Sequence, residues 1–186
     1  MKSNAIIDVI FRDLLCNMLL GVVGVALLIL HWINDPTRAD EHAPPGEVQI
    51  VTCWQGDADV DTWSLAPGDA PVGYQRRAGK VFSLMRDDVG SEGRPTEPNC
   101  EIVIARSLPA GQWVVNAHLF SSRIEPPVAV QFQVVRKTNG TTTVLREGVK
   151  ELRSVGEERT IVRFRTDHLG NIVPGSVGDI QERMRR

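Results

Sequence analysis

Two groups of side chains in this chain have the chemistry to do more than pack. One is the set Asp13, Asn17, Gly24 and His31, spaced by 4, 7 and 7 residues inside an apolar run. At about 100° per residue these positions share one narrow sector of a helix, with Gly21 beside them. A carboxylate at Asp13 can exchange a proton or pair with a cation, Asn17 can hydrogen-bond to a neighbouring helix, and Gly21 and Gly24 allow close backbone approach. The other group is acidic: Asp59 and Asp61 in Asp57-Ala58-Asp59-Val60-Asp61, and Asp87 and Asp88 after Arg86, with Glu92 nearby. Alternating aspartates can offer several oxygens to a hard cation, so Asp59, Asp61, Asp87 and Asp88 form a candidate calcium set. The complete calcium-loop pattern is absent, and the competing reading is that these aspartates cap turns through their own backbone.

The elements that must position these residues divide the chain in three. Leu14 to Ile33 reads LLCNMLLGVVGVALLILHWI, about the 20 residues that cross a hydrocarbon core of about 30 Å. Apolar character extends upstream to Ala5, which predicts a helix from there with Asp8, Arg12 and Asp13 in its first turns. Asp8 lies on another side of that helix and carries no role. Lys2 and Arg12 precede the core, while Asp35, Asp40 and Glu41 follow it. The positive-inside rule then sets the N-terminus in the cytoplasm and the remainder in the periplasm or outside the cell. The run is longer than a signal-peptide core and ends in Leu30-His31-Trp32-Ile33 without a small-residue cleavage pair, so residues 1–33 are expected to comprise a cytoplasmic N-terminus and a retained, single-pass inner-membrane helix.

Asn34 to Gly46, NDPTRADEHAPPG, is polar and proline-containing and reads as a linker. From residue 47 to 173 short runs with strand character follow: Val48 to Trp54, Val60 to Leu65, Val72 to Gln75, Lys80 to Met85, Glu101 to Ala105, Trp113 to Phe120, Val128 to Arg136, Thr141 to Arg146 and Thr160 to Arg165. Each is bounded by Gly, Pro, Asn or Asp, and together they predict a mainly β domain, an antiparallel, Greek-key-like β-sandwich. Asn139-Gly140 reads as a hairpin turn. In Trp113 to Phe120, alternation puts Trp113, Val115, Ala117 and Leu119 on the core face and leaves His118 on a less buried face with no functional part. Residues 174–186 read as a polar, basic, solvated tail.

Cysteine content leaves two readings. Cys16 lies in the apolar run, so Cys53 and Cys100 either pair in an oxidising compartment or sit as buried thiols in the core, the reading favoured on spacing. A net charge of −2 with 24% charged residues excludes a nucleic-acid binder by composition. No nucleophile elbow, phosphate loop, HExxH or paired-cysteine motif is present, and His31, His42, His118 and His168 form no recognisable ligand pair, which argues against an enzyme.

Two resemblances sharpen the functional expectation. Phe11-Arg12-Asp13-Leu14-Leu15 followed by an aliphatic helix resembles the start of the B subunits of proton-driven membrane motors of the MotB, TolR and ExbD type. That resemblance implies Asp13 as the ion-relay carboxylate, a homodimer through the helix with Asn17, Gly21 and Gly24 at the interface, and a multi-span membrane partner of the MotA, TolQ or ExbB kind. The domain resembles bacterial β-sandwich domains of unknown function through Trp54, Asp59-Val60-Asp61-Thr62-Trp63, Arg86-Asp87-Asp88 and Pro109-Ala110-Gly111-Gln112-Trp113-Val114-Val115, which implies recognition or assembly and no catalysis. The expected function is a membrane-anchored subunit of an ion-driven complex. The alternative is a passively anchored display or adhesion module for glycan or protein.

Overall fold

A computed structural model describes residues 2–33, 47–90, 98–138 and 140–184, with helix side chains described over 9–28. The linker expected at Asn34 to Gly46, His31 and Trp32 as side chains, Glu92, Asn139 and Arg185-Arg186 lie outside the described residues. The chain divides into two units, Met1–Ala43 and Pro44–Arg186.

The first unit holds α1, Lys2–Ile33, three residues earlier in its start than the apolar pattern predicts. Its 32 residues correspond to about 48 Å at 1.5 Å per residue. Val9–Leu28 is long and apolar enough to cross a membrane or to serve as a signal sequence, and none of it is buried within the chain.

The second unit is built from eight strands: β1 Val48–Trp54, β2 Ala58–Leu65, β3 Phe82–Arg86, β4 Asn99–Ala105, β5 Gly111–Ser122, β6 Val128–Thr138, β7 Thr141–Leu152 and β8 Glu158–Thr166. They form two sheets, one ordered β3-β4-β1-β6-β7 and one ordered β2-β5-β8. Every neighbouring pair is antiparallel. The expected run at Val72 to Gln75 is not a strand: it makes only the isolated bridges Ser64↔Val72 and Gly73↔Arg76. The β6–β7 hairpin turns where expected, with Thr138 paired to Thr141 and Gly140 at φ +76°, a backbone conformation open to glycine.

Burial follows the two-residue period of a strand where one face is dry. In β6, Val128, Val130, Phe132 and Val134 are buried while Ala129, Gln131 and Gln133 are exposed. The inward residues of both sheets belong to one hydrophobic cluster. At its centre Trp113 stacks on Phe164 with centroids 5.3 Å apart and meets Phe82 of the other sheet edge-on at 5.3 Å. Its indole N–H donates to Thr166 Oγ1 at 2.9 Å, which satisfies the one polar atom a buried tryptophan brings.

Three expectations are corrected here. Strand β5 is buried on both faces: Val114, Asn116 and His118 are as enclosed as Trp113 and Val115. His118 is held against Asp61 of β2, and the cover over Asn116 is the segment expected to be a solvated tail. Gly178 exchanges backbone hydrogen bonds with Arg163 (2.7 and 2.8 Å), Asp179 accepts from Lys150 at 2.6 Å, the Glu182 carbonyl accepts from Asn116 Nδ2 at 2.7 Å, and Met184 N donates to Glu158 Oε1 at 3.0 Å. The chain end to Met184 therefore lies across β5 and β8. Cys53 and Cys100 are not buried thiols: they are register partners across β1–β4 with Cα atoms 4.2 Å apart, and they form a disulfide. Spacing in sequence does not reveal that register; the pairing of β1 with β4 does.

Candidate functional site

The second sheet carries the candidate site on the face turned away from the shared core. On β2, Val60 and Thr62 point inward, so Asp59, Asp61 and Trp63 fall on the outer face. A bulge then interrupts the β2–β5 ladder: Asp59 pairs with Ser121 and Val60 with Leu119, so Phe120 is the extra residue. Bulges re-aim side chains, and Phe120 stands 46% exposed beside the aspartates.

The opposite wall comes from the segment between β2 and β3. Gly73 packs on the Trp63 indole so closely that a Cβ there would lie 2.8 Å from the ring. This lays Tyr74 edge-on against Trp63, with centroids 5.7 Å apart, and tilted at 54° against Phe120, also at 5.7 Å. Asp69 fastens the segment. It accepts from Ala70 N (2.8 Å), Lys80 N (2.6 Å), Val81 N (3.3 Å) and Arg76 Nη2 (2.8 Å). Against the desolvation of the group, those bonds hold its carboxyl down at about 2.

The third side is the loop after β3. A second bulge leaves Met85 unpaired between Leu84 and Arg86. Asp88 then turns inward, accepting from Arg86 Nη2 at 2.8 Å, Gly90 N at 3.3 Å and Cys100 N at 3.3 Å. Asp87 remains at the opening, with Arg77 Nη1 3.9 Å away.

The result is a cleft of about 90 Å³ lined by Asp59, Asp61, Tyr74, Asp87, Val89 and Phe120. His118 Nδ1 donates to Asp61 Oδ2 at 3.1 Å, so the histidine that alternation assigned no part is bound to a cleft residue and only 7% exposed. Behind the cleft stands Glu101 of β4, 1% exposed. Its Oε2 accepts from Thr62 N at 2.5 Å, and its carboxyl also bonds to the Asp87 side chain. Burial pushes this carboxyl up to about 9; the bond from Thr62 opposes the shift, and Asp87 and the charge of Asp61 add to it. Asp59 is raised to about 6 by partial burial and by the charges of Asp61, Asp87 and Asp88, with His118 offsetting them in part. Glu101 is therefore a neutral acid at pH 7.

The structure thus brings together all four residues of the candidate calcium set, Asp59, Asp61, Asp87 and Asp88, but not as a coordination sphere. Among the described residues no three His, Cys, Asp or Glu side chains are arranged to hold a metal ion. Asp88 is engaged as a turn cap and Asp61 by His118, so the capping alternative describes Asp88. Sequence reading missed Glu101, Tyr74 and Phe120. The signal for Glu101 was present: in Glu101-Ile102-Val103-Ile104-Ala105 it shares parity with Val103 and Ala105, so an acid falls on the buried face. A larger recess of about 280 Å³ beside the disulfide, at Trp54, Gln55, Ile124 and Pro127, has no ionisable lining.

In the helix unit, Asp13, Asn17, Gly21 and Gly24 are all exposed, and a Cβ on either glycine would meet nothing within 4 Å. Comparison with known protein families, curated proteins and solved structures gave no match.

Proposed function

We propose that this chain is a single-pass membrane protein that holds a β-sandwich binding domain outside the cytoplasm, with the acidic cleft as its working surface. The observation that carries the reading is the convergence of Asp59, Asp61, Asp87, Tyr74 and Phe120 at one opening, backed by Glu101. The placement is supported by the Cys53–Cys100 disulfide, which belongs to oxidising compartments, and by the charges flanking the apolar helix. Two sheets sharing one core support the sandwich.

We favour binding over catalysis because most acids of the cleft are engaged by other groups: Glu101 is buried behind it, Asp61 is held by His118 and Asp87 has Arg77 at 3.9 Å. An acidic opening also repels phosphate, in keeping with no nucleic-acid role. To test the reading, a photo-reactive amino acid is placed at Val89, at Phe120 and, as control, at Gln131 on the other sheet, in intact cells. Adducts with an external partner are expected from 89 and 120 and not from 131. Equal labelling from all three, or none from 89 and 120, overturns it.

A second reading rests on the helix. The shared sector of Asp13, Asn17, Gly21 and Gly24, with open space at both glycines, favours a subunit of an ion-driven complex, in which Asp13 relays the ion and the helix pairs with its copy inside a multi-span partner.

A further inference from the structure

Strand register fixes which charges share an end of the β domain. Val48, the first residue of β1, pairs with Ala105 at the end of β4 and with Arg136 near the end of β6. Phe82 at the start of β3 also pairs with Ala105. In the second sheet Gly111 pairs with Thr166, and Trp113 meets Phe82 across the core, so these termini lie at the same end. The topology gathers five cations there from four segments: Lys80 before β3, Arg106 after β4, Arg136 and Lys137 in β6, and Arg165 in β8. Among the described residues none of the five makes an ion pair. Arg106 donates to Ser83 Oγ, which leaves its charge uncompensated. Against them stand Asp69, paired with Arg76, Asp167 in its own turn, and Glu47, so positive charge is in excess. The other end has the reverse balance: Arg86, Arg123, Arg153 and Arg159 are each paired with an acid, and Asp59 and Glu125 add further negative charge. The 12 residues of β5 separate the two ends by roughly 37 Å, several screening lengths at physiological salt. Each end therefore acts on its own surroundings.

The basic end is also the one at which the chain enters the domain. Asn34 to Gly46, 13 residues, join the apolar helix to Glu47, and fully extended they reach at most about 45 Å. With the helix as a membrane span, that tether holds this end near the headgroups at high effective concentration, and anionic headgroups attract clustered Lys and Arg. An apolar tip stands on the same end. Thr166 bridges Ile172, and within that hairpin Asp167 accepts from Leu169 N at 2.9 Å and from Asn171 N at 2.8 Å. These bonds set the tip with Leu169 73% exposed, while Gly170 beside it packs on Leu108 in the loop after Arg106. Binding at a lipid interface draws on buried apolar area together with attraction to anionic lipid, and this end offers both. A soluble anion would match the cations and leave Leu169 in water.

We propose that the end of the domain bearing Lys80, Arg106, Lys137, Arg165 and Leu169 docks on anionic phospholipid headgroups of the membrane that anchors the chain, an inference that rests on the apolar helix being a membrane span. An environment-sensitive fluorescent amino acid replaces Leu169 or, as control, Val155, which is 56% exposed in the turn between β7 and β8 at the other end. The full-length chain is set in nanodiscs of phosphatidylcholine, alone or with about one-third phosphatidylglycerol, and quenching by lipid spin-labelled at the headgroup is read. Quenching at 169 is expected to be at least about threefold stronger in the anionic discs and to fall to the neutral level in about 0.5 M salt. Quenching at 155 should stay low in both. Lys80→Gln combined with Arg106→Gln and Lys137→Gln should abolish the difference, whereas Arg153→Gln at the other end should keep it. A melting temperature of the triple variant equal to that of the parent shows that the loss is not unfolding, and the salt dependence reads the same charges in the unmodified sequence. Equal quenching at 169 in the two kinds of disc, as would follow if Asp35, Asp40 and Glu41 of the linker occupied the cations, overturns the proposal. So does quenching at 155 that matches 169, or a triple variant that keeps the difference. A chain that carbonate strips from cell membranes overturns the span and the proposal with it; a chain that stays, with equal signals in the two discs, overturns the proposal alone.

Discussion

Replacing Glu101 by glutamine should make the β domain more stable at neutral and alkaline pH. The Glu101 carboxyl titrates at about 9 in the folded chain against an ordinary value of 4.5, chiefly because it is buried. Below pH 4.5 both states hold the proton and the group contributes nothing. Above it the unfolded chain releases the proton while the folded chain keeps it, so stability falls with rising pH until about 9. The slope is about 1.4 kcal/mol per pH unit, or roughly 3 kcal/mol across the 2.5 units from pH 6 to 8.5. Asp59 acts in the same direction but between its ordinary 3.8 and about 6, which leaves the higher window to Glu101. Glutamine keeps an oxygen for Thr62 N, presents N–H groups to Asp87 and cannot ionise. Urea unfolding of residues 44–186 from pH 4 to 8.5 should give curves that coincide near pH 4 and separate by about 3 kcal/mol between pH 6 and 8.5. Parallel curves, or a variant weaker at every pH, would refute the claim that a neutral acid lies behind the cleft.

Trp113→Ala should cost about 3 to 5 kcal/mol by chemical denaturation, since the ring is fully buried between Phe82 and Phe164. Removing the disulfide through Cys53→Ser with Cys100→Ser should cost up to about 4 kcal/mol, from the loop of 47 residues it closes. The same loss should follow from reducing agent, and a variant as stable as the parent would mean the bond is not formed. Asp13→Asn should leave membrane insertion and assembly at normal levels. If the helix relays ions, it should abolish ion-driven activity while Asp13→Glu retains part of it; full activity of the asparagine variant would reduce the helix to an anchor.

Strands were legible wherever a two-residue period met a turn residue. Val48–Trp54 was read with its ends in place, and the β6–β7 turn was marked by Asn139-Gly140. Val72 to Gln75 misled because valine and tyrosine favour strands, yet Gly73 and Tyr74 serve as a lid on Trp63. The double burial of β5 was not legible, since at Asn116 it depends on Glu182, 66 residues downstream, arriving to cover it, and at His118 on Asp61 of β2. For the site, the acidic residues were found by type, but their meeting depended on two bulges that no local pattern announces. The pairing of Cys53 with Cys100 depended on β1 choosing β4, a choice made by the whole sheet.

The second sheet takes its three strands from the beginning, middle and end of the domain, in the order β2-β5-β8, and the last residues before Met184 close its outer face. A growing chain therefore cannot complete this sheet while it is still being delivered. Until β8 and the segment behind it emerge, Asn116 lacks Glu158 and Glu182 and Trp113 lacks its stacking partner Phe164. Contacts of such long sequence separation form late and slowly. Loss of the stretch from Gly178 to Met184 would remove the covering segment, so a chain stopped ahead of Gly178 should be one that quality-control proteases recognise as unfinished.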